Sequence, residues 1–266
     1  MFYIVKTFLT LYYSHQYKFS TATLIISYFS SSGMSTANVL FGWQPMADEI
    51  VADIQNVYLG AARNEGIFRN LNLTLKAGHT AIVTGGPGSG KTSLTALLTG
   101  VGFADEGLVE VFGESLRPRR IWAINRVRRM IGGVGGIFGL VPSMTVAENI
   151  AFPLVITGLS KRRRQAKLLK MLTEFSLLKK AGDYPRTLTR VEHTLVQFAR
   201  ASIGDQPLLI IDEPSAGLDQ ATTARIFEFL IKASLSGRAL LLLCSDAPAH
   251  DLPNSDIYHI SNGTLE

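Results

Sequence analysis

The clearest chemistry in this sequence lies in a glycine-rich run that ends in a lysine and a threonine. Residues 85–92 read Gly-Gly-Pro-Gly-Ser-Gly-Lys-Thr, which fits the pattern G-x-x-x-x-G-K-[ST]. Glycines let successive backbone N–H groups turn inwards around phosphates, and the N-terminus of a following helix adds its positive dipole end. Lys91 would reach the β- and γ-phosphates, and the Thr92 hydroxyl would ligate Mg²⁺. The predicted nucleotide contacts are Gly85, Gly86, Pro87, Gly88, Ser89, Gly90, Lys91, Thr92 and Ser93.

A second group of candidate residues follows an apolar run at residues 208–211. Asp212 comes directly after that run, at the carboxyl end of a predicted buried strand, where open α/β sheets place their ligands. A triphosphate site needs such a carboxylate on Mg²⁺, and Glu213 is placed to polarise an attacking water. Two adjacent carboxylates could also mark a strand edge that faces solvent. Together with the phosphate loop, they favour Asp212 as the metal ligand and Glu213, with Lys91, as the catalytic pair.

The elements around these residues predict an α/β fold. Residues 80–84, Thr-Ala-Ile-Val-Thr, form a β-branched apolar strand that leads directly into the glycine-rich run, and a helical pattern follows from Ser93 to Leu98. From Asp53 onwards, short apolar runs alternate with helical patterns, as in a parallel sheet with helical crossovers. The order of strand, loop and helix is the one that phosphate binding requires.

Composition narrows the class of protein further. The 266 residues are 47% hydrophobic and 18% charged, which excludes a disordered chain and is enough for a substantial core. The single cysteine, Cys244, excludes an intrachain disulfide framework. No run of 18 or more apolar residues is present, so we expect a soluble α/β protein without a membrane-spanning helix.

The basic residues do not indicate a nucleic-acid partner. The net charge is +5, and phosphate tracking needs a clustered stripe of charge. The run Lys161–Arg164 lies on a helix with inward apolar positions, so we interpret it as a solvated face, near anionic headgroups at most. The same interpretation applies to Arg117, Arg119 and Arg120.

Residues 1–33 differ from the rest of the chain. They contain nine of the 24 aromatic residues and no acidic residue, and they end in Ser-Ser-Ser-Gly. A secretory signal would need a clean apolar core, which His15, Gln16 and Lys18 interrupt, and a transit peptide should contain arginine. Two interpretations remain: a non-native leader translated upstream of a true start at Met34, or a poorly packed, disordered extension.

The residues after Asp212 indicate a family. The run Asp-Glu-Pro-Ser-Ala-Gly-Leu-Asp at 212–219 resembles the Walker B motif and D-loop of ATP-binding-cassette ATPases, the motor subunits of ABC transporters. The spacing of 121 residues from Lys91 to Asp212 is also similar to that family. The resemblance covers roughly Val51 to Glu266, and no N-K-x-D guanine box is present.

This resemblance implies a P-loop NTPase core, which is a parallel sheet flanked by helices. It adds an N-terminal antiparallel β subdomain and an α-helical subdomain inserted at about residues 137–190, all within an ABC ATPase domain at 51–266. It further implies ATP and Mg²⁺ as cofactors, with Asp219 of the D-loop near the nucleotide. A homo- or heterodimer of ATPase domains and a permease-like integral membrane subunit would be the partners. The chain would then be cytoplasmic and peripheral to the inner face of the plasma membrane.

Sequence similarity within the family favours particular branches. Residues 138–154 are similar to the segment after the Q-loop in importer, lipoprotein-release and cell-division ATPases. Residues 155–160 and the following basic helix favour the last two branches. In the family, a groove beside this segment receives a coupling helix of the membrane subunit. Core packing is the alternative role for Val146, Ile150, Phe152 and Leu154.

Three motifs of the family are altered. The signature L-S-G-G-Q corresponds to Leu-Thr-Arg-Val-Glu at 188–192, so Arg190 and Val191 replace two glycines that would face the partner domain's γ-phosphate. Arg190 could offer its guanidinium to that phosphate or simply be solvated. The Q-loop glutamine aligns with Gly136, in a glycine-rich loop that we expect to be flexible. Ser245 replaces the switch histidine and cannot shuttle protons as an imidazole does.

The adenine-stacking aromatic is not clearly placed. Tyr58 is the nearest candidate, although it lies about three residues early and core burial is an equal alternative.

Because the residues that hold Mg-ATP are present and the three motifs above are altered, we expect secure binding of Mg-ATP and weak hydrolysis. The chain is interpreted as an ATPase subunit that drives or gates a membrane partner of transport or cell-division type. The alternatives are a non-hydrolytic, ATP-dependent dimerising clamp and a partner for an intact cassette in a heterodimer.

Overall fold

The computed structural model describes residues 49–60, 66–155 and 159–266. The segment 1–33, interpreted above as a leader or an extension, lies outside the described residues. Within them, no helix has both the length and the apolar character needed to cross a bilayer.

A four-stranded antiparallel sheet forms the N-terminal part of the described chain. It contains strands β1 (Ile50–Leu59), β2 (Phe68–Lys76), β4 (Glu106–Val111) and β5 (Glu114–Ser115), in the order β2-β1-β4-β5. In β2, buried and exposed residues alternate over most of the strand, because one face of the sheet packs against the core. The predicted antiparallel β subdomain is confirmed.

A six-stranded sheet forms the centre of the fold, in the order β10-β9-β3-β8-β7-β6. Strands β3, β8, β7, β6 and β9 pair in parallel, and β10 pairs antiparallel to β9. Every residue of β3 and β8 is buried, as expected for a parallel sheet covered on both faces. The strands are β3 (Thr80–Thr84), β6 (Ile131–Val134), β7 (Leu208–Asp212), β8 (Ala239–Cys244), β9 (Ser255–Ser261) and β10 (Thr264–Leu265).

In the described part of the chain, six α-helices connect these strands. They are α1 (Lys91–Thr99), α2 (Ile121–Arg129), α3 (Val146–Val155), α4 (Lys161–Glu174), α5 (Arg190–Ser202) and α6 (Gln220–Leu235). Two short 3₁₀ turns, Leu178–Lys180 and Pro185–Thr187, join α4 to α5. Helices α3, α4 and α5 lie between β6 and β7 along the chain. A continuous apolar core joins them to the parallel sheet and to α6, which fixes the position of α5 relative to the strand ends.

Candidate functional site

The register of the parallel sheet brings the candidate residues to one edge. Thr84, the last residue of β3, pairs with Cys244, the last residue of β8. Asp212, the last residue of β7, pairs with Leu243. The glycine-rich run, the adjacent carboxylates and Ser245 therefore all leave the sheet at its carboxyl edge, where α/β folds bind ligands.

The glycine-rich run forms a loop that wraps around the lysine amine. Gly88 and Gly90 have φ values of +78° and +109°, which a residue with a β-carbon adopts only with strain. The Lys91 Nζ donates hydrogen bonds to the carbonyl oxygens of Gly85 and, at 3.2 Å, Gly86. The ammonium group thus lies inside the loop, at the start of α1.

Three features of this loop fit a polyphosphate. No side chain caps the N-terminus of α1, and no acidic residue lies in its first turn. The Ser89 Oγ is buried and has no hydrogen-bond partner among the described residues. A β-carbon at Gly86 or Gly88 would meet no atom within 4 Å, so the backbone there is open to a ligand. Uncapped N–H groups and an orphaned hydroxyl are the donors that an anion at a helix N-terminus requires.

Asp212 carries an unfavourable charge in the absence of a ligand. Burial raises the pKa of its carboxyl group, and the neighbouring charge of Glu213 raises it further. The charge of Lys91 acts in the opposite direction and offsets part of this effect. A bound cation would relieve the repulsion, because an opposite charge favours the ionised form.

Thr92 is the second predicted ligand for Mg²⁺ bound together with phosphate. Thr92 is exposed in the first turn of α1, so its hydroxyl is accessible. Among residues 49–60, 66–155 and 159–266, no group of three or more His, Cys, Asp or Glu side chains could hold a metal. Mg²⁺ commonly takes only one or two protein ligands and completes its shell with phosphate oxygens and water. The donor set of Asp212 and Thr92 therefore fits Mg-ATP.

Glu213 is held by Leu243 of strand β8 and by Ser245, which directly follows that strand. Its backbone has φ +54°, its N–H donates to the Leu243 carbonyl at 2.8 Å, and its own carbonyl accepts from Ala216 N at 3.2 Å. The Ser245 Oγ donates to Glu213 Oε1 at 2.6 Å. Both the backbone and the carboxylate of Glu213 are therefore fixed at the carboxyl end of β8, the strand that pairs with β3.

The glycine-rich segment 132–136 is closely packed. A β-carbon on Gly132 would lie 2.2 Å from the Ala201 carbonyl oxygen, and one on Gly133 would lie 2.1 Å from the Phe138 ring. At Gly136, where φ is +45°, it would lie 2.4 Å from Asp212 Oδ2. These glycines thus allow the loop to approach its neighbours, which explains their number better than the flexibility expected from the sequence.

A buried glutamine braces the same loop. Gln197, on α5, is only 6% exposed. Its side chain accepts a hydrogen bond from Gly135 N at 3.3 Å and donates to the Phe138 carbonyl at 3.0 Å. Arg200 donates to the same carbonyl at 2.6 Å. Sequence reasoning missed these two residues, since nothing in their spacing marks them as partners of a loop 60 residues earlier.

The altered signature segment begins helix α5. Thr189 is its N-cap and forms a capping box, in which Glu192 N donates to the Thr189 hydroxyl and Thr189 N donates to the Glu192 carboxylate at 2.8 Å. Arg190 is exposed and lies against Gly217 in the 212–219 segment, where an added β-carbon would be 2.7 Å from its Nε. The guanidinium thus covers the turn that follows Glu213.

Two further candidates have structural partners of their own. Asp219 caps α6: its carboxylate accepts from Thr222 N at 2.9 Å and from the Thr222 hydroxyl at 2.7 Å, and the hydrogen bond from the Thr222 backbone is the largest cause of its lowered pKa. Tyr58 is half-buried in β1, where it pairs with Glu106. Their roles at the nucleotide remain predictions.

Comparison with known proteins identifies the family. The model of the ABC transporter family, which describes its ATP-binding domain, matches residues 68–216, more than half of the chain. The chain belongs to the ABC transporter family. Domains of this family hydrolyse ATP, so the predicted family and ATPase class are confirmed at that level.

The similar proteins include ATP-binding proteins of a lipoprotein-releasing system and of methionine import. A lipoprotein-releasing system ATP-binding protein LolD from a Ruegeria species is 32% identical over 184 residues, which cover 68% of this chain and 81% of that protein. A methionine import ATP-binding protein MetN from Latilactobacillus sakei is 34% identical over 61% of this chain. The match spans only 47% of that MetN protein.

Solved structures confirm the fold. A dimeric ATP-binding cassette, MJ0796, in a post-hydrolysis state bound to ADP and phosphate, superimposes with a TM-score of 0.71 at 24% identity. The superposition covers 81% of this chain and 96% of that one. The P-loop α/β architecture predicted from the sequence is therefore correct for this ABC cassette.

Proposed function

We propose that this chain is the ATP-binding subunit of an ABC-type membrane complex, and that it hydrolyses Mg-ATP slowly to drive or gate a membrane partner. The observation that carries the proposal is the placement of the Glu213 carboxylate, held by Ser245 at the strand edge where the phosphate loop begins. A protein that only bound ATP would have no need of a general base at this position.

In the proposed mechanism, the free backbone N–H groups of the loop and the Lys91 ammonium bind the phosphates; Pro87 has no N–H, and that of Gly85 already donates to the Cys244 carbonyl. Thr92 and Asp212 would hold Mg²⁺, which neutralises charge that develops on the transferred phosphoryl group. Glu213 accepts a proton from the attacking water through the carboxylate oxygen that Ser245 leaves free. Burial and the charge of Glu213 raise the pKa of Asp212, and the charge of Lys91 offsets part of that effect.

The proposed rate is low because several contacts of the family are altered. Arg190 and Val191 replace the signature glycines, Gly136 replaces the Q-loop glutamine and Ser245 replaces the switch histidine. The loss of one positioned transition-state donor typically costs about 2.7–4 kcal/mol, or roughly 10²–10³ in turnover. Such losses are not additive, so the deficits cannot simply be summed.

The proposal of a membrane partner rests on helix α3 and on the relatives. Val146, Ile150 and Leu154 are buried, as the core-packing alternative expected, whereas Phe152 is 51% exposed and Val155 is 59% exposed on the same helix. These exposed side chains would suit a helix of a permease-like subunit. The LolD names favour a partner of the lipoprotein-release kind over the cell-division kind. The chain would then act at the inner face of the membrane.

ATP-dependent dimerisation distinguishes this proposal from a non-hydrolytic clamp. Sedimentation velocity of the wild type, Glu213→Gln and Lys91→Ala should be followed over time after Mg-ATP is added. We expect a lasting dimer for Glu213→Gln, a dimer that decays as ADP forms for the wild type, and a monomer for Lys91→Ala. A wild-type dimer that persists without ADP formation would favour the clamp.

A further inference from the structure

One stretch of the chain carries positive charge without any compensating acid. Between Ser115 and Ala147 there are six arginines and no lysine, aspartate or glutamate. This stretch contains helix α2 and the turn that leads into it. A run of one sign over more than 30 residues is unusual in a chain whose net charge is only +5.

Two of the six arginines serve the fold. Arg126 forms a salt bridge with Glu114 at 2.8 Å. Arg128 donates to the carbonyl oxygens of Thr99 and Gly100, at 2.8 and 2.9 Å, where α1 ends. The other four are exposed, and no carboxylate partner is found for them among the described residues: Arg117, Arg119, Arg120 and Arg129.

Two large apolar side chains lie among these four arginines. Ile121 is 60% exposed and Trp122 is 56% exposed, at the start of α2. The opposite face of α2 is fixed in the core by Ala123, Ile124 and Val127, so the helix cannot rotate to cover the pair. The Arg120 guanidinium lies 6.0 Å from the centroid of the Trp122 ring, and Arg129 follows Trp122 by two helical turns on the same face.

We propose that Arg117, Arg119, Arg120, Ile121, Trp122 and Arg129 form a docking surface for an anionic lipid bilayer. Guanidinium groups bind phosphate in a bidentate manner and are weakly hydrated, which suits headgroup phosphates. Indole side chains favour the membrane interface, where the ring is apolar and its N–H remains wet. This surface would bring the chain to the membrane without any protein partner.

Lipid is favoured over nucleic acid by the neighbouring apolar residue. Arginines with an aromatic residue could also track an RNA backbone and stack on bases. Ile121, however, has no aromatic face for a base and would gain from burial at the acyl boundary. An exposed aliphatic next to an exposed indole, fixed outwards by the packing of α2, matches an interfacial helix better than a stacking platform.

Vesicle co-sedimentation of the full chain tests the proposal without nucleotide, so the result does not depend on ATP hydrolysis. The probes are vesicles of neutral lipid alone and of neutral lipid with about one third anionic lipid, at low and high salt. The test variant is Arg117→Gln/Arg119→Gln/Arg120→Gln. The matched control, Lys161→Gln/Arg162→Gln/Lys170→Gln, removes the same charge from α4. A third variant, Ile121→Gln/Trp122→Gln, removes the apolar pair and keeps the charge.

We expect salt-sensitive binding of the wild type to anionic vesicles only. The arginine variant should bind at least about tenfold more weakly, and the control within about twofold of the wild type. The apolar variant should also bind more weakly and retain the salt dependence. Equal losses in the arginine variant and in the control would show attraction by net charge and overturn the proposal. Wild-type binding to single-stranded RNA but not to vesicles would overturn it in favour of nucleic acid.

Discussion

The Ser245 hydroxyl donates a 2.6 Å hydrogen bond to Glu213 Oε1, from the position that the family resemblance assigns to the switch histidine. Ser245 follows β8, and β8 also binds the backbone of Glu213 through Leu243. The end of β8 therefore fixes both the backbone and the carboxylate of Glu213, the proposed base. The serine at this position therefore supplies a contact that orients the Glu213 carboxylate.

Ser245→Ala removes this hydrogen bond and should lower the turnover of Mg-ATP by about tenfold, since a hydrogen bond to a charged group is worth about 1.5–3 kcal/mol and this one is partly exposed. Steady-state kinetics should show the change in kcat, with little change in KM. Ser245→Thr keeps the hydroxyl and serves as the control. A full loss in Ser245→Thr, or no loss in Ser245→Ala, would contradict a positioning role for the hydroxyl.

Gly136→Gln introduces the glutamine that the family resemblance predicts at this Q-loop position, yet we expect it to weaken the site. A β-carbon there would lie 2.4 Å from Asp212 Oδ2, and φ is +45°. The left-handed backbone alone costs about 1–2 kcal/mol. Thermal unfolding and Mg-ATP titration should show a lower midpoint and a weaker affinity.

Gly139→Gln is the matched control for that change. Position 139 has no atom within 4 Å of an added β-carbon and no left-handed backbone requirement, so the variant should behave as the wild type. Faster hydrolysis in Gly136→Gln would show that the loop can move and accept the glutamine. This result would contradict the close packing of position 136 against Asp212.

Asp212→Asn should make the protein more stable without ligand and reduce the stability that it gains from Mg-ATP. Because the folded-state pKa of Asp212 is raised above its ordinary value of 3.8, ionisation opposes folding. This cost is absent below pH 3.8 and grows as the pH rises through the raised pKa. Without ligand, the Asn variant should thus be more stable than the wild type at pH 7, and equal to it in acid.

Denaturant unfolding between pH 3 and 8 measures this difference, and Mg-ATP supplies the functional comparison. With Mg-ATP present, the wild type should gain more stability than Asp212→Asn, because the variant lacks the proposed metal ligand. An equal gain in the two proteins would remove Asp212 from the metal site.

Thr189→Ala should reduce the free energy of unfolding by about 1 kcal/mol, the usual cost of losing a helix N-cap. The reason is local, since the threonine and Glu192 satisfy the first N–H groups of α5. Thr189→Ser keeps the cap, so its unfolding curve should overlay that of the wild type. Equal stability of Thr189→Ala and the wild type would show that the capping box contributes nothing.

Much of the fold and of the phosphate site could be predicted because both depend on local sequence. The strand at 80–84, the loop at 85–92 and the carboxylates after 208–211 are contiguous, and their order determines their position in a parallel sheet. The placement of α3, α4 and α5 between β6 and β7 agrees with the expected helical insertion, although its domain bounds remain a prediction.

The contacts that sequence reasoning missed join residues far apart in the chain. Ser245 and Glu213 are 32 positions apart, and Gln197 lies 62 positions after Gly135. Their side-chain types are common, so only the packing of the strands and of α5 brings them together. The density of glycines at 132–136 was a usable signal of close approach, because four glycines within five residues at a strand end permit contacts that a β-carbon would block.

The decisive measurement is the turnover of Mg-ATP by the full chain, beside Glu213→Gln and Lys91→Ala at matched concentration. We expect slow phosphate release by the wild type and none by either variant, with ATP still bound by Glu213→Gln. Hydrolysis that survives Glu213→Gln would contradict the assignment of the base. A wild type that binds ATP and releases no phosphate would contradict the proposed ATPase and favour the clamp.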